Sequence, residues 1–126
     1  MAGTIVADTI QDGAGNSTSM DNAIYGSAKA WVQFDGTVSS PTINGSYNVS
    51  SVTKSSTALF TINFTNSLSN SNYAVVATAG TSLGNTSANA IIVSANPINA
   101  SSCFYNTRNA ANSDSSYSIN SVAVFR

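Results

Sequence analysis

Alternation of apolar and polar residues with a period of two runs through most of this chain, and it limits the fold more than any other feature. In the clearest case, Thr57–Thr65, every second residue from Ala58 to Phe64 is apolar, and Thr, Leu and Asn lie between them. A strand places successive side chains on opposite faces, so this pattern predicts a half-buried β-strand. The segment Ala28–Phe34 alternates in the same way and places Trp31 on the more polar face.

Similar segments recur along the chain and are separated by stretches rich in Ser, Asn, Gly and Thr. The predicted strands are Ala28–Phe34, Ser46–Val52, Thr57–Thr65, Tyr73–Gly80, Ala90–Ala95, Ser102–Arg108 and Tyr117–Phe125. Seven to eight short strands with such connections predict an all-β fold, an antiparallel, jelly-roll-like β-sandwich. The run Ile91–Val93 is apolar on both faces, which favours a central strand, and Pro97 is expected to end it.

Composition supports this fold class against helical and disordered alternatives. Ser, Asn and Thr supply 52 of the 126 residues, and only 7% of the chain is charged. Ser, Asn and Thr compete with helical hydrogen bonds, so no helix of more than a turn or two is expected. Disordered chains are poor in apolar residues, whereas 42% of this chain is apolar.

The same composition excludes several function classes. A net charge of −1 with four Lys and Arg residues argues against nucleic-acid binding. The absence of Glu and His removes the serine–histidine triad and His-ligated metal sites. The five Asp residues lie in turns or near the N-terminus and do not suggest a glycosidase pair. We therefore predict no enzyme, no cofactor and no metal.

Two further features concern membranes and cysteine. The longest purely apolar runs are about three residues, far below the roughly 20 that a membrane helix requires, so no membrane insertion is expected. The single cysteine, Cys103, cannot form an internal disulfide and is expected to be a small buried hydrophobic residue beside Phe104.

The first 27 residues differ from the rest of the chain. Thr4–Gln11 can form one short strand, but Asp12 begins a Gly- and Ser-rich loop, and Ile24 and Tyr25 are isolated apolar residues. We predict that residues 1–27 form an extended arm that attaches the protein to a partner, and that residues 28–126 form the sandwich domain.

A surface for assembly or ligand binding is expected because a chain with so few charges is poorly protected against association. Trp31 is the best candidate for exposure, since it shares a strand face with Lys29 and Gln33, and a subunit interface is favoured there over a sugar-stacking platform. The candidate surface residues are Ile5, Ile10, Ile24, Tyr25, Trp31 and Tyr105.

Five strand-like runs share an order and spacing that is more specific than any run alone. They are Ala28-Lys-Ala-Trp-Val-Gln-Phe-Asp-Gly-Thr37, Ser46-Tyr-Asn-Val-Ser-Ser-Val-Thr53, Phe60-Thr-Ile-Asn-Phe-Thr65, Tyr73-Ala-Val-Val-Ala77 and Ser121-Val-Ala-Val-Phe125. Together they resemble a module of tailed-phage virion proteins, usually tail-fibre or virion structural proteins of phages of aquatic bacteria and cyanobacteria. The resemblance covers residues 28–126. It departs from the family pattern in Thr53–Phe60, which lacks the expected glycine-containing turn.

The resemblance implies a non-enzymatic protein of the virion surface, made in the host cytoplasm and bound to other capsid or tail proteins. It also implies self-association, with a homotrimer expected and a dimer compatible with the residues, and contact with a host surface glycan or protein. The family favours a tail fibre or appendage. The short chain, which lacks a shaft and coiled-coil heptads, favours a capsid decoration (cement) protein, so both locations stay open.

Overall fold

Two antiparallel sheets of four strands pack face to face in the computed structural model, which confirms the predicted all-β sandwich. The structure describes residue 3, residues 6–81 and residues 91–126, without the side chains at positions 21, 22 and 25. The described elements are β1 (Thr9–Gln11), β2 (Ser17–Ser19), α1 (Met20–Gly26), β3 (Ala28–Asp35), β4 (Thr42–Tyr47), β5 (Val49–Ser56), β6 (Leu59–Phe64), β7 (Ala74–Gly80), β8 (Ile92–Asn99), β9 (Ser102–Arg108) and β10 (Ile119–Phe125).

The order of the strands in each sheet differs from their order along the chain. Sheet I has the order β4-β3-β10-β7 and sheet II the order β5-β6-β9-β8. The pairs β3–β4, β5–β6 and β8–β9 each remain in one sheet, and the other connections cross between the sheets. The first and last strands of the sandwich, β3 and β10, lie side by side in sheet I.

The core lies between the sheets, where the alternating residues meet. Phe34 of sheet I packs edge-on against Phe60 and Tyr105 of sheet II, with ring centroids 5.1 and 5.7 Å apart. Cys103 is buried beside them, as its sequence context predicts. The inward faces of β3 and β6 follow the predicted alternation residue by residue. Period-two patterning therefore located the core correctly.

The chain crosses from sheet I to sheet II at Asn48, within a segment that was predicted to be a single strand. The predicted strand Ser46–Val52 is wrong, because β4 ends at Tyr47 in sheet I and β5 begins at Val49 in sheet II. Asn48 takes a left-handed conformation with φ of 54°. Asn tolerates this conformation better than most residues, since its short side chain can bond locally. A single residue thus turns the chain from one sheet to the other.

The β5–β6 hairpin turns without a glycine, through Ala58 at a φ of 60°. Contacts with distant strands hold this turn. The Ala58 carbonyl accepts hydrogen bonds from the Thr107 amide at 3.1 Å and the Asn106 side chain at 3.0 Å, and its own amide donates to Ser116 Oγ at 3.2 Å. These hydrogen bonds therefore stabilise the positive φ of Ala58, which a glycine would adopt without strain.

Strand β8 lies at an edge of sheet II, so its predicted central position is wrong. It also continues through Pro97 to Asn99, and the expected stop at Pro97 is wrong as well. An edge strand has one side without a ladder partner, so a proline that lacks an N–H can be accommodated there. Ile92 and Ile98 are exposed, which shows that apolar residues in this strand do not mark a buried position.

Residues 8–26 form more regular structure than the predicted extended arm with one strand. Strands β1 and β2 pair as a hairpin, and α1 packs on both of them. Asp12 organises the turn, since its carboxylate accepts hydrogen bonds from the amides of Ala14 and Asn16 and from the Asn16 side chain, each at 2.9 Å. These bonds, first that of the Asn16 side chain, hold the pKa of Asp12 below its usual value. Within the described residues, no helix is long and apolar enough to span a membrane.

We expect the protein to lose stability in alkaline solution because three buried acids, Tyr73, Cys103 and Tyr105, keep their protons in the folded state. Burial, with a smaller contribution from Cys103, raises the pKa of Tyr73 from 10.0 to about 12. Burial also raises the pKa of the Cys103 thiol from 9.0 to about 12. The unfolded chain releases these protons at lower pH, so stability is complete below pH 9 and falls as the pH rises toward 12.

Urea unfolding followed by circular dichroism at pH 8 and at about pH 11 measures this loss as a lower midpoint at the higher pH. Tyr73→Phe removes one of the three acids, so its midpoint should fall less between the same pH values. Equal wild-type midpoints at both pH values would contradict the prediction.

Candidate functional site

The outward face of sheet I brings together side chains from four strands that are distant in the sequence. The register places Tyr47, Trp31, Ala123 and Val76 in one row across β4, β3, β10 and β7. A parallel row contains Gly45, Gln33, Ser121 and Thr78. Trp31, Tyr47 and Val76 are 43%, 59% and 57% exposed. In the first row, Trp31 and Val76 thus stand on either side of the small Ala123.

This arrangement forms a groove of about 490 Å³, which we call the Trp31 groove. The residues between Trp31 and Val76 have short side chains, so the surface is lower there. Gly45 lies under the indole, and a Cβ at this position would be 3.4 Å from Trp31 Cζ3. The lining residues are Trp31, Val32, Gln33, Asn44, Gly45, Val76, Ala77, Thr78, Ser121, Val122 and Ala123.

The chemistry of the Trp31 groove is neutral. Its lining contains one indole, two carboxamides and two hydroxyls, and no side chain that ionises near neutral pH. Within the part of the chain that the structure describes, no group of three or more His, Cys, Asp and Glu residues could hold a metal ion. The groove is therefore equipped for stacking and for uncharged hydrogen bonds, and its lining offers no acid, base or activated nucleophile.

The outward face of sheet II is chemically different. Asn63 donates to the hydroxyls of Ser51 and Thr53 at 3.0 and 3.2 Å, so these polar groups satisfy one another. A smaller cleft of about 340 Å³ on this face contains Arg108 and Asp114, which form an ion pair at 3.1 Å. Because that pair is half-exposed, it contributes little to stability.

The candidate surface residues near the N-terminus fall in the hairpin and helix. Ile10 in β1 and Ile24 in α1 are about half exposed, in keeping with their predicted place on the surface. Ile5 lies outside the described residues, and so does the side chain of Tyr25. Trp31 is exposed on the predicted face of β3.

Tyr105 is wrong as a surface candidate, because it is 0% exposed in the core. Its hydroxyl donates to Asn120 Oδ1 and to the Thr78 carbonyl, each at 3.0 Å. Strand β9 is central in sheet II, and its pairing with β6 places Tyr105 opposite Phe60 on the inward face. Two polar partners inside the core allow this tyrosine to be fully buried.

Of the polar residues that line the groove, sequence patterning placed only Gln33 on the face of Trp31. Thr78 and Ser121 belong to strands separated from Trp31 by more than 40 residues, and only the sheet order brings them together. Only the pairing of β4 with β3 places Tyr47 opposite Trp31. Asn44 gave no sequence signal, since it sits where the register of β3 and β4 shifts.

Comparison with protein-family models, with curated proteins and with solved structures finds no match to this chain.

Proposed function

We propose that this protein is a non-enzymatic structural component of the surface of a tailed-phage virion, in a tail fibre or appendage that contributes to host attachment. The observation that carries the proposal is the outward face of sheet I, which presents Trp31, Tyr47 and Val76 on a rigid sheet. Exposing such apolar side chains to water is unfavourable, and a partner that covers them removes this cost. The resemblance of residues 28–126 to virion modules supports the same role.

The absence of ionisable groups from the Trp31 groove favours binding over catalysis. General acid–base catalysis requires a side chain that exchanges a proton near the operating pH. The ionisable side chains of the smaller cleft, Arg108 and Asp114, are already paired with each other. Recognition without chemistry is therefore the role that these two clefts support best.

Attachment to the particle is assigned to the N-terminal segment. Strands β1 and β2 and helix α1 contact one another, and they leave the apolar side chains of Ile10 and Ile24 exposed. Burying these side chains against another virion protein would be favourable. Self-association as a homotrimer, or as a dimer, would cover further surface on a chain with a net charge of only −1.

A capsid decoration protein is the second candidate, and the N-terminal segment favours it. A small hairpin and helix that pack on each other, with exposed Ile10 and Ile24, could clamp the chain to the head shell. The sandwich would then project from the head and stabilise it. The two candidates differ in the location and number of copies on the particle.

Incorporation into particles tests both candidates with the full-length chain. The double variant Ile10→Asp/Ile24→Asp should fold normally but be lost from purified virions, because it places two charges where the apolar contact would form. Val38→Asp, at an exposed apolar residue of the sandwich, is the matched control and should be incorporated. Normal incorporation of the double variant would contradict attachment through this segment.

Cryo-electron microscopy of the wild-type virion then separates the two locations. A small set of copies on the tail supports the appendage, and hundreds of copies on the head lattice support the decoration protein. Absence of the chain from the particle would overturn the proposed function.

A further inference from the structure

We propose that the Trp31 groove binds a neutral saccharide of about two sugar rings; this proposal rests on the proposed function and names its ligand class. The groove holds about 490 Å³ and falls within the usual range for small-molecule sites, roughly 300–1,000 Å³. It lies on a rigid four-stranded sheet and not on loops. A site of this kind is largely formed before its ligand arrives.

The exposed indole of Trp31 provides the apolar platform. One face of a pyranose ring presents C–H groups, and these pack against the electron-rich face of an aromatic ring. The indole lies over Gly45, where an added Cβ would make ordinary van der Waals contact with Trp31 Cζ3 at 3.4 Å. Tyr47, directly across the register from Trp31, extends the aromatic surface toward the edge strand β4.

The polar groups of the groove are free to bind hydroxyls. Within the described residues, the side chains of Gln33, Asn44, Thr78 and Ser121 have no hydrogen-bond partner in the protein, and neither has the Trp31 indole N–H. Carboxamides donate and accept at once, which matches sugar hydroxyls that do the same. On sheet II, by contrast, Asn63 is already bonded to Ser51 and Thr53.

The ligand is inferred to be neutral because nothing in the groove can pair with a charge. The nearest charged residues on β3 are Lys29 and Asp35, one at each end of the strand. Lys29 donates to the Ile24 carbonyl, and Asp35 accepts from the amide and hydroxyl of Thr37 at 2.8 and 2.6 Å. A sialic or uronic acid would therefore lose hydration without gaining an ionic partner.

A second copy of the chain in a two-fold dimer fits the groove less well than a saccharide. In a two-fold contact the same surface meets itself, so the groove of one copy would face the groove of the other. The short side chains of Gly45, Ser121 and Ala123 would then leave a void between the copies. An unfilled space loses the packing contacts that stabilise an interface.

Binding is tested with a microarray of neutral and acidic glycans, followed by fluorescence titration of the full chain with the strongest neutral binder. Trp31 is the only tryptophan, so its emission reports directly on the groove. We expect a saturable change with a neutral glycan and weaker binding of its sialylated counterpart. Trp31→Ala, measured on the array, should weaken binding by about tenfold or more.

Two polar variants and one control distinguish recognition from a general effect on the fold. Gln33→Ala and Asn44→Ala each remove groups that would bond the sugar and should weaken binding severalfold, with unchanged circular dichroism. Thr61→Ala, on the outward face of sheet II, should bind as the wild type does.

The proposal is overturned if no neutral glycan binds the wild-type protein more tightly than it binds Trp31→Ala. It is also overturned if the protein forms a dimer or a trimer that buries Trp31, which sedimentation of the wild type and of Val76→Asp would detect. Neither result affects the incorporation test above, so the ligand can fail while the virion role stands. Absence of the wild-type chain from virions would instead refute the proposed function.

Discussion

Replacing Asn48 by alanine is expected to lower the free energy of unfolding by about 2–4 kcal/mol, a large share of the roughly 5–15 kcal/mol typical of a domain. Asn48 Nδ2 donates to the carbonyls of Lys29 and Asn66, both at 3.1 Å, and Oδ1 accepts from the Asn66 amide at 2.8 Å. Alanine would lose these bonds and still have to adopt the positive φ. Urea unfolding followed by circular dichroism measures the change.

Glycine at the same position separates the two causes. Asn48→Gly loses the hydrogen bonds but adopts a positive φ without strain, so it should be about 1 kcal/mol less destabilising than Asn48→Ala. Asn96→Ala, at an exposed position of β8, is the control and should change stability by about 0.5 kcal/mol or less. An Asn48→Ala protein as stable as that control would refute the role of Asn48 at the sheet crossing.

Replacing Asn120 by alanine is expected to cost about 2–4 kcal/mol, because it removes the centre of a buried polar network and leaves a cavity. Asn120 is fully buried in β10. Its Nδ2 donates to the carbonyls of Tyr117 at 2.7 Å and Phe34 at 3.2 Å, while its Oδ1 accepts from the Tyr105 hydroxyl at 3.0 Å. The network joins the two sheets across the core, since Tyr105 belongs to sheet II.

A double-mutant cycle with Tyr105→Phe tests whether this network acts as a unit. The single change Tyr105→Phe leaves Asn120 Oδ1 buried without that donor and should cost about 1–3 kcal/mol. The double variant should cost less than the sum of the two single changes, by at least about 0.5 kcal/mol. Tyr117→Phe is the control, because its hydroxyl makes only a long contact of 3.4 Å with the Arg108 carbonyl. Strict additivity would contradict coupling between Tyr105 and Asn120.

The location of Tyr105 illustrates why sequence patterning failed in β9, although it succeeded in β3 and β6. Cys103 and Tyr105 face the core, while Asn106 and Thr107 are also buried, so β9 lacks the alternation that marks a half-exposed strand. Its neighbours on both sides, together with the turn at Ala58, account for this burial. None of these contacts is local in the sequence.

Strand β8 shows the opposite error. The apolar run Ile91–Val93 suggested a strand covered on both faces, yet β8 lies at an edge and exposes Ile92. Hydrophobic residues at the surface are common because polar residues are too few to cover a protein, so an apolar run alone does not assign a central position.

In the N-terminal segment, local sequence signals predicted the turn at Asp12 but not the short strand and helix that follow it. Asp12 and the residues that follow it were recognised as a turn, and the Asp12 carboxylate does bond Ala14 and Asn16 there. The second strand and the helix were not predicted, because β2 has only three residues and α1 only seven. Elements this short depend on contacts with one another more than on their own propensity.

Local patterning was sufficient for the fold class and for the faces of β3 and β6 that form the core, because side-chain direction in a strand repeats every two residues. The tertiary structure alone decided the strand order, the edges of the sheets and the crossing at Asn48. It also decided the Trp31 groove, whose residues come from four strands. Pairing between strands depends on hydrogen bonds and packing among residues far apart in the chain, and no local pattern records them.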